Sequence, residues 1–165
     1  MKKLFLGTFF LIFVSLSAQS QVAPHAIGVR LGSSNFGSGG EISYQHGLGD
    51  ANRLEFDLGW RANRRNGNDY SRLGITGIYH WCFNITGGLN WFVGPGAQLG
   101  FYDDRNGPED DGMSIGVGAQ LGLDYNLEEN GAPLLIGLDI RPMFDFIGYF
   151  DGFGYGMALS IRYLF

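Results

Sequence analysis

The sequence predicts an all-β chain: eight antiparallel strands in an up-and-down meander, closed into a barrel that spans a membrane. Three observations predict it. The final residues alternate strictly, with Tyr155, Met157, Leu159, Ile161, Tyr163 and Phe165 on one face and Gly156, Ala158, Ser160, Arg162 and Leu164 on the other. That is the two-residue period of a strand with one apolar side. The same alternation recurs seven times upstream. The chain is also rich in glycine (28 residues) and in aromatics (15%). It lacks the three-residue glycine period of collagen, and glycines among alternating apolar residues fit a membrane barrel.

The start reads as a targeting segment. Met1-Lys2-Lys3 is positive, Leu4 to Leu16 is apolar, and Ser17-Ala18-Gln19-Ser20-Gln21 is small and polar. This is the pattern of a secretory signal peptide, and the run is too short for a spanning helix. Residues 1–20 are therefore expected to be a leader, cleaved after Ala18 or Ser20, and residues 21–165 the barrel.

The strands follow in order. His25 to Ser33 places Ile27, Val29 and Leu31 opposite Gly28, Arg30 and Gly32. Gly40 to Gly47 places Ile42 and Tyr44 opposite Glu41, Ser43 and Gln45. Arg53 to Arg61 alternates Leu54, Phe56, Leu58 and Trp60 with Glu55, Asp57, Gly59 and Arg61. Leu73 to Phe83 sets Leu73, Ile75, Tyr79, Trp81 and Phe83 against Gly74, Thr76, Ile78, His80 and Cys82. The fifth and sixth strands echo each other: Gly94–Gly100 (GPGAQLG) matches Gly116–Gly122 (GVGAQLG) at six of seven positions. Leu134 to Met143 puts Leu134, Ile136, Leu138 and Ile140 outside, with Gly137, Asp139 and Arg141 inside. The terminal strand is the eighth. Pro95 removes a ladder donor and calls for a bulge or a missing bond.

Each segment is about ten residues, enough to cross the apolar band of an outer membrane at a tilt near 40°. An even strand count leaves both chain ends on one side. Residues 47–52, 84–88 and 126–132 become short turns there, and residues 34–39, 62–72, 103–113 and 144–154 become longer loops on the other side.

Charge and cysteine content narrow the classes. Two of the eleven basic residues are the leader lysines, which leaves nine arginines against 16 acids, a balance of −7 beyond the leader. That argues against nucleic acid as a partner. A single cysteine, Cys82, cannot form an internal disulfide.

An eight-stranded barrel is narrow and filled by side chains, and buried charges must pair. The expected interior network is Arg30, Glu41, Asp139 and Arg141, with Glu55, Asp57 and His80 beside it. Register counted from the turns sets Glu55 opposite His80 and Gln120 opposite Asp139. A soluble barrel would reverse the faces, and this lining has too little apolar volume for a dry core.

Other constellations carry weaker chemistry. His80 and Cys82 share a face but lack further ligands, so no metal and no cofactor is assigned. The acidic stretch Asp103 to Gly112 does not match a calcium loop and reads as a solvated loop. Arg61, Arg64, Arg65 and Arg72 cluster at the opposite loop and are candidates for clasping lipopolysaccharide phosphates. Phe144, Phe146, Tyr149, Phe150 and Phe153 read as an interfacial aromatic girdle.

The Ala18-Gln19 leader end, the Gly-x-Gly-Ala-Gln-Leu-Gly strands and the Ile161-Arg162-Tyr163-Leu164-Phe165 finish resemble small bacterial outer-membrane β-barrel proteins of the porin-like superfamily, especially the Bacteroidota type. The finish is similar to their terminal assembly signal, with Tyr163 and Phe165 as its aromatic positions. The resemblance implies the bacterial outer membrane, periplasmic chain ends, contact with membrane lipid and lipopolysaccharide, and the barrel-assembly machinery as a transient partner. A monomer is expected. The expected role is structural or interaction-based, with a plugged interior and no enzymatic activity. The alternatives are a narrow passage for small or hydrophobic solutes and, less favoured, a lipid A-modifying enzyme. The last needs a nucleophile with a base and an orienting acid at the outer rim, and Ser71 and Asp69 there lack a histidine.

Overall fold

The computed structural model describes residues 22–35, 37–65, 68–104, 112–147 and 152–165. For residues 63–65, 68–70 and 103–104 it describes the backbone alone. The leader, the body of the acidic loop, Tyr149 and Phe150 lie outside these residues.

Eight strands form: β1 (His25–Ser34), β2 (Gly37–Gly47), β3 (Asn52–Arg65), β4 (Asn68–Thr86), β5 (Leu89–Asp104), β6 (Gly112–Asn126), β7 (Leu134–Ile147) and β8 (Gly152–Leu164). A short 3-10 turn, Glu128–Asn130, precedes β7. The strands pair in chain order, all antiparallel, and β1 pairs with β8 to close the barrel. Closure leaves no free edge, so every strand has two neighbours.

The alternation decides which way each side chain points. Outward faces carry Val29, Ile42, Leu58, Ile75, Leu99, Val117, Leu138 and Leu159, all 40–61% exposed. Aromatics gather at both ends of this band: Trp81, Tyr125, Tyr163 and Phe165 near the chain termini, and Trp60, Phe101, Phe144, Phe153 and Tyr155 toward the other end. Among the described residues between these belts, no outward side chain is charged. From Tyr155 to Tyr163 is about 20 Å along the axis at ~3.3 Å per residue and ~40° tilt.

Most strands run well past their expected limits. β4 spans 19 residues, and β3 continues to Arg65, paired with Asn68. The described residues of the expected loops at 62–72 and 144–154 are strand, as are residues 37–39, 103–104 and 112–113 of the other two. The reason is that backbone pairing does not stop where apolar alternation stops.

Register is also corrected. Glu55 pairs with Ile78, and it is Arg53 that faces His80. Asp139 pairs with Gly122, two residues from Gln120. Both expectations slip by two, which keeps the faces and changes the partners.

Pro95 interrupts its ladder without a register shift. β4 and β5 pair at Ile78–Gly96 and resume at Trp81–Val93, with the two intervening pairs missing. Pro142 does the same between β6 and β7, where pairing stops at Gly118–Met143 and resumes at Leu121–Ile140. Each proline lacks the donor its ladder needs. Next to Pro95, Gly94 approaches so closely that a Cβ there would meet the Tyr79 carbonyl oxygen. The β4–β5 turn uses Gly87 at φ +51°, and the Asn84 side-chain amide donates to its carbonyl at 2.7 Å.

A charged and filled barrel interior

The inward faces alternate long ionic side chains with glycines, because the bore cannot hold two large residues side by side. A Cβ at Gly59 would press on the Glu41 side chain, one at Gly100 on the Arg72 guanidinium, and one at Gly116 on the Asp145 carboxylate. The echoed glycine strands β5 and β6 thereby make room for neighbouring strands and their ions.

Six arginines line the bore (Arg30, Arg53, Arg61, Arg72, Arg141 and Arg162) with six carboxylates (Glu41, Glu55, Asp57, Asp124, Asp139 and Asp145). The lining is thus formally balanced among the described residues. At the centre, Arg141 donates from Nη2 to Asp57 and to Glu55 Oε1 at 3.1 Å, and from Nη1 to Glu41 Oε2 at 3.2 Å. Glu55 also accepts from Arg162 Nη2 at 3.0 Å, Gln45 at 2.5 Å and Gln120 at 3.3 Å. Arg30 joins Glu41, at 2.6 Å from Nη1, to Asp139. Glu55, His80 and Gln120 are fully buried.

The residues expected to form the network are brought together, in a pattern set by the corrected register. Asp139 of β7 meets Arg30 of β1 over the intervening strand β8. His80 enters through Gln120, at 3.2 Å, and Arg53 Nε, at 3.2 Å.

Two further layers were not foreseen. Near the chain termini, Arg53 Nη1 lies 2.8 Å from Asp124. Its guanidinium sits 4.6 Å over the Phe92 ring, and Asn90 donates to Asp124 at 3.2 Å. Below this layer Ala26, Leu135 and Leu164 make a small apolar cluster. Toward the other end, Gln98 donates to Asp145 at 2.7 Å. Arg72 lies 3.8 Å from Asp145 and 3.2 Å from the Ser114 hydroxyl, and stacks over Tyr102 at 5.2 Å. Arg72 lies one residue, and Asp145 two, beyond the expected ends of their strands, and continuing the alternation one step would have found both.

Of the four arginines offered for lipopolysaccharide phosphates, two are corrected. Arg61 turns inward to Glu41 and Arg72 is buried in the bore, because both occupy even steps of long strands. The side chains of Arg64 and Arg65 lie outside the described residues. Tyr163 and Phe165 face outward, 53% and 60% exposed.

Between the layers of the bore, among the described residues, the cavities are small, and the larger open recess lies at the mouth beside Asn90, Asn126 and Glu129. A cavity of about 50 Å³, bordered by Arg30, Glu41, Arg61, Arg72 and Arg141, sits above the central network. Another of about 20 Å³, beside Arg53 and Asp124, sits near the chain termini. A water needs about 10–15 Å³ of such space, so the first has room for a few waters. Among the described residues, no group of three or more His, Cys, Asp or Glu is placed to hold a metal ion.

Comparison with known proteins places the fold and nothing finer. No protein-family model and no curated protein matches the sequence. Solved structures do match. The chain is similar to Neisserial surface protein A (NspA), with a TM-score of 0.67 at 14% identity, over 86% of this chain and 96% of that one. It is similar to Ail, the attachment invasion locus protein of Yersinia pestis, with a TM-score of 0.54 at 12% identity, over 86% and 96% of the two chains. It is also similar to the outer membrane enzyme PagL, with a TM-score of 0.51 at 10% identity, over 85% and 99%. This chain has the fold of small eight-stranded outer-membrane barrels.

Proposed function

We propose that the protein is a bacterial outer-membrane barrel with a structural or interaction role and an interior plugged by its own side chains. One observation carries this reading. The exterior is apolar and uncharged between two aromatic belts, while the bore is filled by a balanced ionic lattice. In hydrocarbon, backbone groups must pair internally, and only helices and closed barrels achieve that. The chain ends stand in the periplasm, since short turns lie on their side and long hairpins on the other. Membrane lipid surrounds the belts, and the assembly machinery reads the outward Tyr163 and Phe165. Contact with lipopolysaccharide phosphates is proposed for Arg64 and Arg65 from the sequence pattern alone. The Bacteroidota-type resemblance rests on the sequence motifs alone.

The fold hosts interaction proteins and an enzyme alike, so the site must decide. His80 is sealed in the bore, and His25 and His46 lie near the chain termini. No histidine stands by Ser71 at the far end, so the protein is not expected to be an enzyme. The test is planar-bilayer recording. Purified protein is expected to show no steady channel openings, and a regular unit conductance would move the reading to a solute passage. A mass change in lipid A on expression would move it to an enzyme.

A further inference from the structure

One polar cluster plays no part in the plugged interior. It lies on the outer wall, where β1 and β2 meet the last residue of the chain. His25 and His46 are directly paired across the two strands, and their Nδ1 atoms are 3.3 Å apart. The Tyr44 hydroxyl lies 2.9 Å from the same Nδ1 of His25. Phe165 stacks on the His25 ring, with centroids 5.4 Å apart at 24°, and its amide donates to the His25 carbonyl at 3.0 Å. All four are on the outward face, and none is fully buried.

We infer that His25 and His46 form a chelating site for a borderline divalent ion of the zinc, nickel or copper class. The spacing supports it. Imidazole nitrogens bind zinc at about 2.0–2.1 Å in tetrahedral geometry, which sets two ligands roughly 3.4 Å apart. The two nitrogens already stand at nearly that separation, on neighbouring strands of a rigid wall, so little ordering is needed on binding. Imidazole ligands select this class over calcium and magnesium, which take oxygen. The two histidines supply two ligands, the Tyr44 oxygen stands beside the His25 nitrogen, and solvent completes the coordination. A bound ion ties β1 to β2 directly beside the seam where β8 closes the barrel, and it fixes the ring on which Phe165 rests.

The sequence holds only three histidines and one cysteine. His80 and Cys82 are sealed inside, 0% and 2% exposed, so neither offers a competing site to the solvent.

The experiment is zinc titration of untagged protein in detergent micelles by calorimetry, with zinc chloride as the only added ion. The wild type is expected to bind one equivalent. His46→Ala and His25→Phe are each expected to weaken that binding at least tenfold, and the phenylalanine keeps a ring against Phe165. Zinc is also expected to raise the urea midpoint of the wild type and to leave both variants unmoved, since an ion that binds the folded state stabilises it. Failure of the wild type to bind zinc overturns the inference. So does unchanged binding in the two variants, which would place the ion on acidic residues or the chain's amino end.

Discussion

Replacing Arg141 with methionine is expected to lower the unfolding free energy of the barrel by about 3–5 kcal/mol, the cost of breaking a buried ion pair from one side. The size follows from what the guanidinium holds. Arg141 bonds Asp57, Glu55, Glu41 and Gln120 from a position 5% exposed. Methionine fills similar length and offers no donor. Glu41 keeps Arg30 and Arg61, and Glu55 keeps Arg162. Asp57 is the carboxylate that suffers, because Arg141 is the arginine that reaches it. Burying a charge without its partner is far more costly than burying a neutral amide.

Asp57→Asn combined with Arg141→Met is expected to recover at least about 1 kcal/mol of the loss, because groups in one network are coupled. Urea unfolding in detergent, followed by tryptophan fluorescence with linear extrapolation, reads both values. Simple additivity of the two changes would mean Asp57 is not the partner that Arg141 satisfies, and an unmoved midpoint for Arg141→Met would mean the ions contribute nothing to holding the wall.

The sequence makes the faces of this barrel legible and its partners illegible, for a physical reason. A strand's period is two, so reading Leu54, Phe56, Leu58 and Trp60 as outward settles Glu55 and Asp57 as inward without any knowledge of neighbours. Partnership depends on turn length and strand extent. The β3–β4 pairing runs up to Arg65–Asn68, and nothing in that polar stretch announces that the ladder continues. The miss of two residues put His80 beside Glu55 when it faces Arg53. The same truncation hid Arg72 and Asp145, whose pair lies beyond the apolar band that marked the strand ends. Likewise His25 and His46 are 21 residues apart, and only the closed register brings their rings together. Parity survives a register error of two, and contact does not.

The seam between the first and last strands gives the other large effect. Gly28→Ala is expected to destabilise the barrel by at least about 3 kcal/mol, toward the upper range for forcing atoms into a packed site. The added methyl would enter the backbone of β8, against the Ile161 carbonyl and the Arg162 Cα. Backbone cannot rotate aside as a side-chain end can, so β1 and β8 must separate locally. Gly28 pairs with Arg162 on one side and Ser43 on the other, and Arg162 Nε donates to that same Ser43 hydroxyl at 3.0 Å. Separation therefore strains an ionic layer as well as the ladder. In water, an opened seam would be wetted. In hydrocarbon, its amides and carbonyls would have no partner, at several kcal/mol for each group. The expected result is loss of the compact, heat-modifiable band in unheated gels and a lower yield of folded protein in vesicles. Gly40→Ala is the control, since a Cβ there meets only the flexible end of Leu31 at 3.3 Å, and it is expected to fold normally. Equal behaviour of the two variants would show that the seam tolerates opening and that closure is not what the membrane demands of this chain.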